Sequence, residues 1–571
     1  MTENPFQFGA ANDLSPKEVL DYYIEDFNYS RSIQSKRNVF LLGERGSGKT
    51  MTLLYHSLAA QRRKAEKAGA EPSLDWVGVY VPCNTPLTHR REYELLPDFK
   101  AAILSEHFLV LSITHHLATS LNENRDIVED GDTSPLADAL GYSLGKSLPD
   151  GESLFERVLA FTAQEIRHTQ HVINSADSEA FYRQALSFST LVMPFFEALR
   201  RVPVLSESHF LLMIDDAHDL NGHQVAALNS WIAYRDHSIF SFKVATTKVS
   251  RPPFITATGG SILEGHDFTV VDLEKPIQSE RSDFGSLARR IVERRLQRVG
   301  CDVSPDTFFP LHPGVEKELD DCKQIARKEA LERYPPEATK KISDHIYKYH
   351  RAIYFRRRAS KANRPNYSGF KMLVYLSTGV VRNLLEPCFW MYDLAVSESR
   401  EAGGGQASIR TISPTIQNQV IMEQSEKTWS LVDQGLDKVV PGCTAQDAEH
   451  LRNLFRGLAG LFRERLLKDI SEPRAVSFSI SARNEEPNVA ELDRLLLIAR
   501  KATILYARSG AAKDAGAREY YYVPNRMLWP VRGLDPQGQH ARVSLPASIL
   551  LGVAKGTAVF DASSDEQRKL F

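Results

Sequence analysis

The ten residues Leu41–Thr50 read LLGERGSGKT and match the phosphate-binding pattern G-x-x-x-x-G-K-[ST]. The apolar run NVFLL, residues 38–42, precedes the loop, and a segment with apolar residues at helical spacing follows it. Glycines let backbone N–H groups surround a phosphate, and the start of the next helix adds a positive field. A strand, this loop and a helix in that order predict a nucleotide site. The alternative is a glycine-rich turn that only ends a strand.

Two polar side chains of the loop receive specific roles. Lys49 is expected to reach the β- and γ-phosphates of ATP, and the Thr50 hydroxyl is expected to ligate Mg²⁺. The residues of the loop that we expect to contact the nucleotide are Gly43, Glu44, Arg45, Gly46, Ser47, Gly48, Lys49 and Thr50.

A second apolar run ends in two adjacent carboxylates, in HFLLMIDDAHDL at residues 209–220. Asp215, at the end of this predicted strand, is expected to hold Mg²⁺ directly or through water. Asp216 is placed to orient or deprotonate the attacking water. Because Asp is one methylene shorter than Glu and reaches less far, Asp216 predicts slow hydrolysis. The alternative is a pair of strand-end acids that cap the next helix.

Another apolar run ends in ATTKVSRP, residues 245–252. A polar or cationic group at this position would lie beside the γ-phosphate, between the strand of the loop and the strand of the acids. Thr246, Thr247 and Lys248 are the candidates. Thr247 is also predicted to contact the nucleotide. For at least one of the two threonines, an ordinary strand-to-loop transition is the alternative.

Five short apolar runs alternate with helical patterns, which is typical of a parallel α/β sheet. The runs lie at residues 38–42, 76–82, 209–214, 242–246 and 268–273. Between the second and third runs, apolar residues at three- and four-residue spacing predict a helical insertion at about 84–208. Helical patterns then continue to about residue 402, GGGQAS at 403–408 reads as a linker, and residues 409–571 mix helices with short β-like pieces.

The chain has 571 residues, of which 42% are hydrophobic and 25% are charged, with a formal net charge of −2 at pH 7. This composition is typical of a globular protein with several domains. No apolar stretch approaches the ~18 residues of a membrane span, and the N-terminus lacks the pattern of a signal peptide. The five cysteines are scattered. We therefore expect a soluble cytoplasmic protein with reduced thiols, without a zinc site and without a membrane partner.

A basic stretch rich in aromatic residues contains no acid between residues 345 and 385. Its composition is that of a surface that binds a phosphate backbone. The alternatives are a solvated charged face, a surface for an acidic partner protein, and charges that face ATP itself. The candidate nucleic-acid-binding residues are Arg356, Arg357, Arg358, Lys361 and Arg364.

The motifs GERGSGKT, IDDAHDL and VATTK together resemble the AAA+ and STAND branches of the P-loop ATPases, in particular the prokaryotic origin-recognition (ORC/CDC-like) initiator-type ATPases. The resemblance covers roughly residues 4–400, and YLSTGVVRNLLEPCFW at 375–390 resembles the lid-domain sensor of these proteins. It implies that Lys248 senses the γ-phosphate and that Arg382 reaches the nucleotide from the lid. Arg235, with Arg251 as the alternative, would be an arginine finger that completes the site of a neighbouring subunit.

The resemblance also implies a domain organisation. Residues 1–281 would form an AAA+/ASCE-like ATPase core that contains the helical insertion, and residues 282–402 a helical lid. After the linker, residues 409–571 would form an α+β winged-helix-like domain. The segment NPF, residues 4–6, would lie near the adenine ring.

These features favour an ATP- and Mg²⁺-dependent switch that hydrolyses ATP slowly. Its nucleotide state would gate binding to nucleic acid, with DNA as a candidate, or to a partner effector protein. The chain would form a homo-oligomer or bind that effector. The resemblance suggests bacterial antiphage or antiplasmid defence as the setting. The first alternative is a DNA-binding, replication-initiator-like or DNA-remodelling ATPase. The second is a non-catalytic assembly module that holds ATP.

Overall fold

A computed structural model describes residues 4–7, 11–25, 27–83, 96–174, 185–233, 239–249, 253–274, 283–360, 364–401, 409–468, 472–481, 489–511, 518–538 and 542–561. The chain divides into two compact units. We call Phe8–Glu274 the sheet unit, and Met1–Gln7 together with Lys275–Phe571 the helical unit. The first few residues of the chain thus belong to the same unit as its C-terminal half.

The sheet unit is built on five parallel strands in the order β2-β3-β4-β1-β5. The strands are β1 (Val39–Leu42), β2 (Trp76–Pro82), β3 (His209–Asp215), β4 (Phe240–Thr246) and β5 (Thr269–Asp272). Each corresponds to one of the five apolar runs, so the prediction of an α/β P-loop sheet is confirmed. Strands β3 and β4 are buried at every residue, as expected for a parallel sheet that is covered on both faces.

Helices cover the two faces of this sheet. On one face, Phe210, Leu212 and Ile214 of β3 share a core with apolar residues of the predicted helical insertion, and on the other face Leu211 and Met213 pack in a smaller core. The α-helices that the structure describes in the sheet unit are α1 (Pro16–Tyr22), α2 (Phe27–Gln34), α3 (Lys49–Tyr55), α4 (Leu58–Ala68), α5 (Asp98–Glu123), α6 (Arg125–Val128), α7 (Ser134–Leu144), α8 (Leu154–Asn174), α9 (Met193–Leu199) and α10 (Gly222–Ala233). The described residues between β2 and β3 therefore form a helical layer on the sheet.

The helical unit consists mainly of helices in its described residues. They are α11 (Asp283–Arg298), α12 (Pro305–Phe308), α13 (Pro313–Arg333), α14 (Thr339–Ser360), α15 (Phe370–Leu376), α16 (Val381–Glu401), α17 (Pro414–Gln434), α18 (Leu436–Val439), α19 (Ala445–Leu467), α20 (Val489–Lys501) and α21 (Ala547–Ala554). The N-terminal segment packs here. The Asn4 amide donates to the Phe389 carbonyl at 3.0 Å and to the Asp393 carboxylate at 2.9 Å, and Phe6 lies beside the rings of Phe308 and Tyr392.

A second, mixed sheet lies near the C-terminus, in the order β7-β8-β6-β9. Its strands are β6 (Phe478–Ser481), β7 (Leu505–Ala511), β8 (Arg518–Pro524) and β9 (Val543–Pro546). Strand β8 pairs antiparallel with both β7 and β6, whereas β6 and β9 are parallel. This arrangement, with α19 to α21 around it, confirms the α+β composition predicted for the region. The split into lid, linker and winged-helix-like domain at the predicted boundaries stays a prediction.

A buried ionic cluster joins α14 to the C-terminal part of the helical unit. Both oxygens of the Asp535 carboxylate accept from the Arg351 guanidinium at 2.8 Å, and Arg474 donates to it at 3.4 Å. The two arginines hold the pKa of Asp535 at about 2 although burial alone would raise it. The cluster therefore ties together segments that are far apart in the sequence.

No helix among the described residues is both long enough and apolar enough to cross a membrane.

Candidate nucleotide site

The phosphate-binding loop connects β1 to α3 as its sequence predicts. Gly46 and Gly48 adopt φ values of 85° and 98°, in the left-handed region that favours glycine. Gly43 is packed so closely against the loop that a Cβ atom there would lie 2.3 Å from the Ser47 hydroxyl oxygen. The loop is thus a tight turn, with two glycines in the left-handed region and with Gly43 in close contact with the Ser47 side chain.

Lys49 begins α3 and folds back over the loop. Its ammonium group donates to the carbonyl oxygens of Gly43 at 2.8 Å and Glu44 at 3.2 Å, and the residue is only 5% exposed. Burial lowers the pKa of Lys49, and the charges of Asp215 and Asp216 oppose that effect. A cation in this position can neutralise the charge of bound phosphates.

Asp215, at the end of β3, lies in contact with the predicted metal-binding hydroxyl. Its carboxylate accepts a hydrogen bond from the Thr50 side chain, from the Tyr80 hydroxyl at 3.0 Å and from the Asp216 N–H at 2.9 Å. Burial, together with the neighbouring Asp216 charge, raises the pKa of Asp215. The structure therefore brings together the two predicted Mg²⁺ ligands, Thr50 and Asp215, and adds Tyr80 as a partner.

Asp216 differs from its neighbour in exposure and in backbone conformation. Its φ of 52° is in the left-handed region, and its side chain is 25% exposed whereas Asp215 is fully buried. The His218 Nδ1 atom lies 4.0 Å from the Asp216 carboxylate. Burial lowers the pKa of His218, so this imidazole is neutral near pH 7. Asp216 thus lies at the more open side of the acid pair.

Lys248 follows β4 and is held by two acids from the end of β5. Its ammonium group lies 2.6 Å from the Asp272 carboxylate and 2.9 Å from that of Glu274. The second oxygen of Glu274 accepts from the Glu44 N–H at 2.8 Å. The candidate sensor is therefore beside the start of the loop. Thr247, the residue before it, is buried.

Three buried polar atoms next to the loop and the acid strand have no hydrogen-bond partner among the residues that the structure describes. They are the Ser47 Oγ, Thr246 Oγ1 and His218 Nδ1 atoms. Buried polar atoms are normally paired, so atoms of this kind fit the surroundings of a polar ligand. Together with Lys49, Thr50 and Asp215, this donor set suits ATP and Mg²⁺.

Tyr80, His218 and Glu274 were missed by the sequence analysis. Tyr80 and Glu274 stand at the carboxyl ends of β2 and β5, where the ends of parallel strands meet the loop. That position, on strands correctly identified from the sequence, was the signal that could have found them.

Of the arginines predicted to act at the site, the structure describes Arg382. Arg382 is exposed near the start of α16 in the helical unit, and its role as a sensor stays a prediction. Arg235 and its alternative Arg251 lie outside the described residues.

Two of the predicted nucleic-acid-binding arginines form hydrogen bonds within the helical unit. Arg356 donates to the Leu466 carbonyl at 3.1 Å, and Arg358 forms a bidentate pair with Glu318 at 2.9 and 2.5 Å. Arg357 and Arg364 are exposed, and Lys361 lies outside the described residues. The partly buried positions of Arg356 and Arg358 come from packing of α14 against neighbouring helices, so the basic stretch is not one continuous free surface.

Comparison with known proteins agrees with this site. The ORC-CDC6-like family model matches residues 4–343 and 316–545. Among the solved structures that resemble the chain is the Orc1 protein of Aeropyrum pernix in complex with DNA, with 10% identity, 90% coverage of both chains and a TM-score of 0.28. No curated protein matches the chain. Since the family model spans most of the sequence, including the loop and both acids, the chain belongs to the ORC-CDC6-like family of AAA+ ATPases.

Proposed function

We propose that the protein is an ATP-binding switch that hydrolyses ATP slowly and whose nucleotide state gates binding to DNA or to a partner protein. The observation that carries the proposal is the hydrogen bond of the Thr50 side chain to Asp215, together with the buried ammonium group of Lys49 on which the Asp215 charge acts. It combines the loop of a nucleotide site with a carboxylate and a hydroxyl that suit Mg²⁺.

The protein residues have separate tasks in this proposal. The loop N–H groups and Lys49 bind and orient the phosphates, while Thr50 and Asp215 hold the Mg²⁺ that neutralises charge on them. Asp216 orients the attacking water and receives its proton. Because Asp216 is one methylene shorter than Glu, its reach to the water is limited, which supports slow turnover.

Family membership favours the DNA-binding, initiator-like form of this switch over an effector in antiphage defence. The exposed Arg357 and Arg364 are the part of the predicted patch that remains available for phosphate contacts. Within the proposal, the protein acts as a homo-oligomer in the cytoplasm, with Arg235 acting across subunits and Arg382 contacting the nucleotide. A non-catalytic module that holds ATP is the outcome if no turnover is found.

The test measures ATP binding and turnover, with and without duplex DNA, for the wild type and three variants. Lys49→Ala is expected to abolish binding, and Asp216→Ala to retain binding and lose turnover by ~10²-fold or more, as for removal of a general base. Asp216→Glu is expected to speed turnover. ATP binding and hydrolysis that survive Lys49→Ala would contradict the site assignment, and an unchanged rate in Asp216→Glu would contradict the role of the short acid.

A further inference from the structure

Glu274 connects two parts of the nucleotide site that are distant in sequence. One carboxylate oxygen accepts from the Glu44 N–H in the loop at 2.8 Å, and the other lies 2.9 Å from the Lys248 ammonium group. Its side chain is fully buried, whereas the second acid at Lys248, Asp272, is 48% exposed. Glu274 is therefore the dominant anion for Lys248, since ion pairs at exposed positions are weakened by solvent.

The order of the strands decides where this pair lies. Strands β4 and β5 flank β1, one on each side, whereas β3 with its acid pair adjoins β4 on the side away from β1. Lys248 follows β4, and its ammonium group contacts Asp272 and Glu274 at the end of β5, on the other side of β1. The ammonium group is thus held at the end of β5, whereas Asp215 and Asp216 lie at the end of β3. We expect the γ-phosphate between these two acids and the loop.

We infer that Glu274 is a positioning residue that acts as a carboxylate latch, holding Lys248 away from the γ-phosphate. This inference rests on the proposed function as an ATP-binding switch. When the triphosphate binds, the phosphate and Glu274 compete for the same cation. Departure of Lys248 takes an ammonium group away from the buried Glu274 carboxylate, which is unfavourable. The latch therefore reduces the preference for ATP over ADP and slows turnover.

The latch differs from a purely structural role of Glu274 in one respect. Its effect on nucleotide preference passes through Lys248, whereas support of the loop through the Glu44 N–H does not. Glu274→Gln separates the two roles, because the amide oxygen can still accept from the N–H while the ion pair with Lys248 is lost.

The experiment measures dissociation constants for ATP and ADP with Mg²⁺, by displacement of a fluorescent nucleotide, and turnover in parallel. Glu274→Gln is expected to raise the ratio of the ADP to the ATP dissociation constant by ~5-fold or more, the lower end of typical coupling effects. Turnover is expected to rise, and any change that loss of the Glu274 charge causes through Lys49 should affect ATP and ADP alike. In the Lys248→Met background, Glu274→Gln is expected to leave the ratio unchanged.

The matched control is Asp272→Asn, which removes the exposed acid from the same ammonium group and is expected to change the ratio by less than ~2-fold. If Glu274→Gln does not fold, Glu274→Asp, with its shorter reach, should shift the ratio in the same direction. An unchanged ratio, or an equal loss of ATP and ADP affinity that persists in Lys248→Met, overturns the latch. If the latch is overturned but Lys49→Ala abolishes ATP binding in the same assays, the proposed function as an ATP-binding switch still stands. ATP binding that persists in Lys49→Ala overturns both the latch and the proposed function.

Discussion

Tyr80→Phe removes a single hydroxyl group from the predicted metal site. That hydroxyl lies 3.0 Å from the Asp215 carboxylate and 3.0 Å from the Asn12 side-chain oxygen, but it has only one proton to donate. Because a hydrogen bond to a charged acceptor is stronger, the proton goes mainly to Asp215. Burial and the Asp215 charge raise the pKa of Tyr80, so the hydroxyl stays a donor over the whole working range of pH.

The size of the effect follows from what Asp215 loses. A hydrogen bond to a charged group contributes about 1.5–3 kcal/mol, and the Thr50 hydroxyl and the Asp216 N–H remain as partners. Without Tyr80, the carboxylate is less firmly oriented and is more easily protonated. Both changes reduce its availability to Mg²⁺, and loss of such an orienting partner typically weakens metal affinity by ~10–100-fold.

The assay is a Mg²⁺ titration of nucleotide binding and of ATP turnover at fixed ATP. Tyr80→Phe is expected to shift the Mg²⁺ midpoint upward by that factor, with nucleotide affinity in EDTA unchanged. Tyr55→Phe is the control, since it removes a hydroxyl that donates to Glu25 at 2.8 Å elsewhere in the same unit. A Mg²⁺ midpoint in Tyr80→Phe that matches the control would refute the assignment of Asp215 as a metal ligand that Tyr80 orients.

Further predictions concern stability, measured by urea unfolding followed by circular dichroism. Asp535→Asn leaves two buried arginines without their anion and is expected to cost ~3–5 kcal/mol. Since the pKa of Asp535 is depressed from 3.8 to about 2, its contribution is complete above pH 3.8 and is lost as pH falls through about 2. The variant should lack this pH dependence, and a wild-type slope in the variant would contradict the account. Gly78→Ala places a Cβ 1.9 Å from the His56 carbonyl oxygen and is expected to destabilise by up to ~3 kcal/mol. Gly460→Ala, in an exposed helical position with no atom within 4 Å of the added Cβ, should instead stabilise by ~0.5–1 kcal/mol. Equal effects of the two glycine changes would rule out the steric explanation.

The basic stretch shows where linear composition misleads. Its arginines are adjacent in sequence, yet Arg358 pairs with Glu318 on α13 and Arg356 bonds to the end of α19. A run without acids does not show which acids and carbonyls lie across from it after folding. Of the five predicted contacts, the structure leaves Arg357 and Arg364 exposed, and these are the positions at which a nucleic-acid role remains to be measured.

The sequence by itself determined the parallel sheet and the phosphate-binding loop, and it predicted the pair Thr50 and Asp215 that the structure brings together. It could do so because the loop carries its glycines, lysine and hydroxyl in one continuous segment, and because buried strands are continuous apolar runs. Only the tertiary structure decided which further side chains contact this site. Tyr80 meets Asp215, and Glu274 meets Lys248, through pairing of strands that are distant along the chain. Parallel strands are joined by long crossovers, so contacts between their ends leave no local pattern in the sequence.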